Sequence, residues 1–142
     1  MDEPEVPTEL DPRLLRGIEQ FDAGEHYDAH ETLEELWMGE VGATRHLLQA
    51  LIQLTIALHH RSNGNISGSR ALLERALEHL AVVRAETCFV DPRQLERAVE
   101  ALRAELVAGA PEEGGSRAPV PRFDAVRARI AAERRARALP ER

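Results

Sequence analysis

Apolar residues recur along this chain at three- and four-residue intervals, the spacing of one face of an α-helix. The strongest stretch is Leu47 to His60, LLQALIQLTIALHH, which contains neither an acid nor an arginine. A bilayer span needs roughly 20 apolar residues, so this run is too short to cross one. It is also too apolar for a surface helix, which keeps a charged face. The pattern therefore predicts a helix at the centre of a packed body. Val, Ile and Thr never alternate with polar residues over a strand length, so no strand is expected.

Local signals set the predicted helices. Asp11-Pro12 and Asp91-Pro92 each place a capping carboxylate before a proline suited to the first helical position. Gln94, three residues after Asp91, completes a capping-box pattern. Gly24, Gly64 and Gly109 are placed as terminators. The predicted helices run about Pro12 to Ala23, His26 to Met38, Thr44 to Arg61, Ser67 to Ala85 and Pro92 to Ala108. Their short connections imply antiparallel neighbours. The expected fold class is all-α: a compact multihelical bundle of about five helices plus a C-terminal helical segment.

Composition divides the chain further. Residues 1–10, acidic and broken by proline, read as a disordered segment, and residues 11–108 as the helical bundle domain. Residues 109–121, GAPEEGGSRAPVP, read as a Gly/Pro-rich linker. Residues 122–142 form a basic helical tail, with Phe123, Val126 and Ile130 as a narrow apolar stripe. The tail carries seven Arg against Asp124, Glu133 and Glu141, a net of +4, which leaves −11 elsewhere in a chain of net −7. It reads either as a terminal helix docked on, or frayed from, an acidic body or as an interaction arm for an anionic partner.

The 142 residues suffice for a real core, and with 4% aromatics that core is built of Leu, Ala, Val and Ile. The negative balance argues against nucleic acid as a partner. All 18 basic residues are Arg, which excludes a Schiff-base or P-loop lysine. The single Cys88, beside Phe89 and Val90, reads as a small buried hydrophobe in a reducing compartment. The N-terminal residues lack the basic and apolar regions of a signal peptide. The expectation is a soluble cytoplasmic protein with no membrane partner.

Candidate chemistry centres on the second and third helices. On a helical wheel centred on His30, Trp37 lies just to one side with Leu33 beyond it, and Glu34 and then Tyr27 lie to the other. On this reading Tyr27, Leu33 and Trp37 form the apolar face, with His30 in its middle and Glu34 close by. Asp28, Glu31, Thr32 and Glu35 face the other way. The third helix carries an uncharged polar stripe of Gln49, Gln53 and His60, with Ala50 and Ala57 leaving room beside it. Packing the two helices would bury a His/Glu pair against Gln, Gln and His. An unpaired buried polar group costs about 1–3 kcal/mol, so such a site must be satisfied internally or by a ligand.

Three readings follow. His30, Glu34, Gln53 and His60 form a structural hydrogen-bonded network. Alternatively His30, Glu34 and His60 are a two-His-one-carboxylate centre for zinc or non-haem iron, the core of a hydrolase or oxidoreductase. In the third, Tyr27, Trp37, Gln49, Gln53 and His60 line a metal-free pocket for a small-molecule ligand, with Glu34 or His30 as catalytic base. The segment His30-Glu31-Thr32-Leu33-Glu34 departs from the zincin motif because the second His is missing. Protease activity is excluded on that ground.

These residues also carry a resemblance. Phe21, Gly24, YDAHETLEELW (Tyr27 to Trp37), LIQLTIALHH (Leu51 to His60), Gly64-Asn65 and Gly68 together resemble the domain of unknown function 309 family over about residues 12–85. The resemblance implies a small all-helical bundle in a soluble prokaryotic protein and no established activity. It places the family's signature polar positions on His30, Glu34, Trp37, Gln53, His60 and Asn65. Ala50 departs from the usual Gly before Leu-Ile-Gln.

Overall fold

The computed structural model describes residues 11–83, 90–108 and 120–137. Among these residues there are six α-helices and no strand: α1 Pro12–Asp22, α2 His26–Trp37, α3 Gly42–Ser62, α4 Ile66–Ala81, α5 Pro92–Ala108 and α6 Asp124–Ala136. The all-α expectation holds. Cys88, residues 1–10 and 109–119, and the expected last turn of the fourth helix at 84–85 lie outside the described residues.

The capping carboxylates at Asp11 and Asp91 act as read. The Asp11 carboxylate accepts from the Arg13 backbone N–H at 2.8 Å, and Asp91 accepts from that of Arg93 at 2.9 Å. Burial pushes the Asp11 carboxyl upward, but hydrogen bonds from the Arg13 side chain and backbone, with the charges of Arg13 and Arg134, hold it below its usual value. Gly24 and Gly64 adopt φ of 83° and 80°, the left-handed conformation that ends a helix. Asn65 caps α4 by accepting from the Gly68 N–H at 3.0 Å. Gly68 serves this cap rather than a close approach between helices: a Cβ there would fall 2.5 Å from the Asn65 amide nitrogen.

Consecutive helices pack side by side, and α3 lies between α2 and α4. Leu47, Leu48, Leu51, Leu54, Ala57 and Leu58 of α3 are buried. They join Leu14, Ile18, Leu33, Leu36, Leu73, Leu80, Leu95, Val99 and Leu102 in one core. Each fully buried Leu contributes about 1.5–3 kcal/mol of transfer free energy, which explains why the charge-free run sits at the centre.

The basic segment folds back on α1. Phe123 is buried edge-on against Phe21 with ring centroids 5.2 Å apart. Its backbone N–H donates to the Asp22 carboxylate at 3.1 Å, and Arg127 pairs with the same carboxylate at 2.9 Å. Hydrogen bonds from Arg122 and Arg127 hold the exposed Asp124 carboxyl at about 2. Phe123 and Ile130 are buried and Val126 packs against the core, so the apolar stripe is spent on this contact. Among the described residues, α6 is a docked helix rather than a free basic arm.

Candidate functional site

α2 and α3 pack side by side with a groove between them, and the residues singled out on the two helices are half-buried or exposed rather than interior. The buried side chains of α2 are Ala29, Thr32, Leu33 and Leu36. On the helical wheel their mean direction lies about 100° from His30. That rotation corrects the expected burial of Glu34, whose side chain is 50% exposed, against 19% for His30. Tyr27 is exposed as well.

Thr32 explains the rotation. It points toward α1 and is buried, its hydroxyl donating to Gln20 Oε1 at 2.7 Å. Gly17 of α1 permits the approach, since a Cβ there would lie 2.8 Å from Leu33 Cδ2 and 3.6 Å from Thr32 Cγ2. The signal that sequence reading passes over is the set Ala29, Leu33, Leu36, a narrower and more apolar stripe than one centred on a histidine.

His30 is held at both nitrogens. Nδ1 lies 3.1 Å from the Tyr27 carbonyl oxygen and Nε2 lies 3.0 Å from Glu34 Oε2. Both neighbours are acceptors, so the ring N–H has a partner on whichever nitrogen carries it. His60 sits elsewhere, at the C-terminal end of α3, where its Nδ1 is 3.4 Å from the Asn65 amide. Among the described residues no three His, Cys, Asp or Glu side chains gather in a way that could hold a metal ion. The expected His30–Glu34–His60 centre is therefore not assembled. A chelate needs side chains from both helices at one level, and the sequence places His60 nearly two turns too far along.

Other contacts fix the helices' register. Tyr27 packs against His30 and His59 at centroid distances of 5.2 and 5.5 Å. At the opposite end of the groove the Arg45 guanidinium lies 4.0 Å over the Trp37 ring. Antiparallel helices joined at these two points bring Gln53 to the level of His30 and Gln49 near that of Glu34. Gln49 and Gln53 are half-buried. Gln53 Oε1 and Trp37 Nε1 are buried atoms with no hydrogen-bond partner among the described residues. One is an acceptor and the other a donor, on neighbouring helices. His30, Glu31, Thr32, Glu34, Glu35 and Met38 border an open hollow of about 500 Å³.

Two histidines outside the groove titrate below their ordinary value. Burial lowers His26, helped by the positive neighbours Arg61 and His59. Burial also lowers His79, helped by His46 and opposed by Glu78. A histidine whose folded-state value is depressed gives full stability above its unfolded value and loses it as pH falls through the folded one. Thermal unfolding is accordingly expected to move to lower temperature as pH drops below 6.5, the value both groups start from. His79→Gln should flatten that dependence; a profile identical to wild type would rule the His79 contribution out.

Residues 14–72 match the family model described as Domain of unknown function (DUF309). The matched segment covers most of α1, α2, α3 and the beginning of α4, with every groove residue named above, and over it the chain is similar to that family. No curated protein matches the chain. No helix among the described residues is long and apolar enough to cross a membrane.

Proposed function

We propose that this protein binds a small polar molecule in the groove between α2 and α3. The observation that carries the reading is the pair of unpartnered buried atoms, the Gln53 carbonyl oxygen and the Trp37 indole N–H. Each buried polar group without a partner costs about 1–3 kcal/mol. The helix register puts the two levels roughly 10 Å apart along the groove, at about 1.5 Å of rise per residue. They match an elongated ligand that offers a donor to Gln53 and an acceptor to Trp37, such as an amino alcohol or a short hydroxy amide. Tyr27, His30 and Glu34 then form the polar rim beside it, and Arg45 holds the Trp37 ring in place.

Gln53→Met tests this. Removing an unsatisfied acceptor with little change of volume is expected to stabilise the protein by about 1 kcal/mol, raising Tm by roughly 3–6 °C for a chain of this size. Binding would be lost in the same variant, the usual trade between stability and function. The readout is NMR of ¹⁵N-labelled protein titrated with a set of amino alcohols and hydroxy amides. The Trp37 indole N–H and the Gln53 side-chain amide should shift in wild type, and the indole should stay still in Gln53→Met. A destabilised Gln53→Met, together with an indole resonance that no compound moves, overturns the proposal.

A further inference from the structure

A second pair of histidines lies away from the groove, between α3 and α4. His46 and His79 stand 33 residues apart in sequence, yet their Nδ1 atoms are 3.1 Å apart, with ring centroids at 5.4 Å. Two imidazole nitrogens that close require complementary tautomers, one donating and one accepting. Their separation also suits a shared ion. Nitrogens bound at about 2.0–2.1 Å to a tetrahedral zinc ion stand roughly 3.3–3.4 Å apart, so a shift of a few tenths of an ångström would suffice. His46 is exposed and His79 half-buried, which leaves an approach for the ion from solvent.

We infer that His46 and His79 form a two-imidazole clamp for a late divalent transition metal, zinc first among them, that ties α3 to α4. The donating ring passes its Nδ1 proton through water to its own Nε2, so both Nδ1 lone pairs face the ion and no proton is lost overall. Water fills the remaining coordination positions. Imidazole prefers zinc, copper and nickel to magnesium and calcium. Such a clamp would stabilise the bundle directly, because both ligands are brought together only in the folded state.

The test uses the full chain without a His-tag. Zinc chloride is titrated by calorimetry and by thermal unfolding. Saturable one-to-one binding is expected, with Tm raised by several degrees at ~100-fold excess over Kd. Either His46→Ala or His79→Ala should abolish the rise, while His30→Ala should retain it. Magnesium should give no rise in any variant. Cobalt as a probe should give a visible spectrum that both alanine variants lose. A zinc response that survives in the His46→Ala/His79→Ala double variant, or no saturable binding in wild type, overturns the inference. Because His30→Ala and Gln53→Met leave this pair intact, failure here is separable from failure of the groove reading.

Discussion

Phe123→Ala is expected to release α6 from α1 while the other helices stay folded. Truncating a buried Phe removes about 3–5 kcal/mol. α6 is held by Phe123, Ile130 and part of Val126 against the core, by Arg127 and the Phe123 N–H on Asp22, by Arg122 on the Asp22 carbonyl, and by the buried Arg134. Arg122 and Asp124 are both more than half exposed, and an ion pair so open to water adds little. Ordering the backbone costs about 1–2 kcal/mol per residue, so the net docking free energy is smaller than the loss. The measurement is amide hydrogen exchange. Protection over residues 124–136 should collapse, with Asp22 and Phe21 gaining solvent and α2 to α5 changing little. If α6 keeps its protection and the whole molecule loses about 3 kcal/mol or more, as a Phe truncation in a cooperative core would give, α6 is an integral part of the core instead.

Gly17→Val is expected to cost about 3 kcal/mol, the upper range for overpacking a tight interior. The added Cβ would meet Leu33 at 2.8 and 2.9 Å, and Leu33 is itself buried at 1% exposure. A second γ-methyl would press on Thr32 and on its hydroxyl bond to Gln20. Gly17→Ala isolates the Cβ term. Its helix-propensity gain of about 1 kcal/mol offsets only part of an overpacking cost of about 1–3 kcal/mol. Urea denaturation should therefore rank wild type above Ala and Ala above Val. An alanine variant more stable than wild type would show that Leu33 yields more easily than its burial implies.

The same contact shows why the site is only partly legible in the sequence. Caps at Asp11, Asp91 and Asn65 are readable because each involves residues two or three apart. The central place of α3 is readable because no other surface would tolerate Leu47 to His60. The rotation of α2 is not readable, because it depends on Gly17 admitting Thr32, a relation between two helices. Weighting Tyr27 and Trp37 as core turns the wheel toward His30, whereas Ala29 and Leu36 in fact define the buried side. His30 and Glu34 do pair, Gln53 does stand on the neighbouring helix, and their depth is what differs from expectation. The His46–His79 contact follows from the α3–α4 register, which nothing in either histidine's neighbours announces.

The docking of α6 also sets an order of events. The main helix pairings join neighbours in sequence, except that between α1 and α6. Contacts of that local kind form early and give fast assembly. Arg122 reaching the Asp22 carbonyl instead closes a loop of 100 residues. Such closure must wait until α1 already presents its surface, so the ring of helices shuts last, and a growing polypeptide would complete its bundle before its basic end arrived.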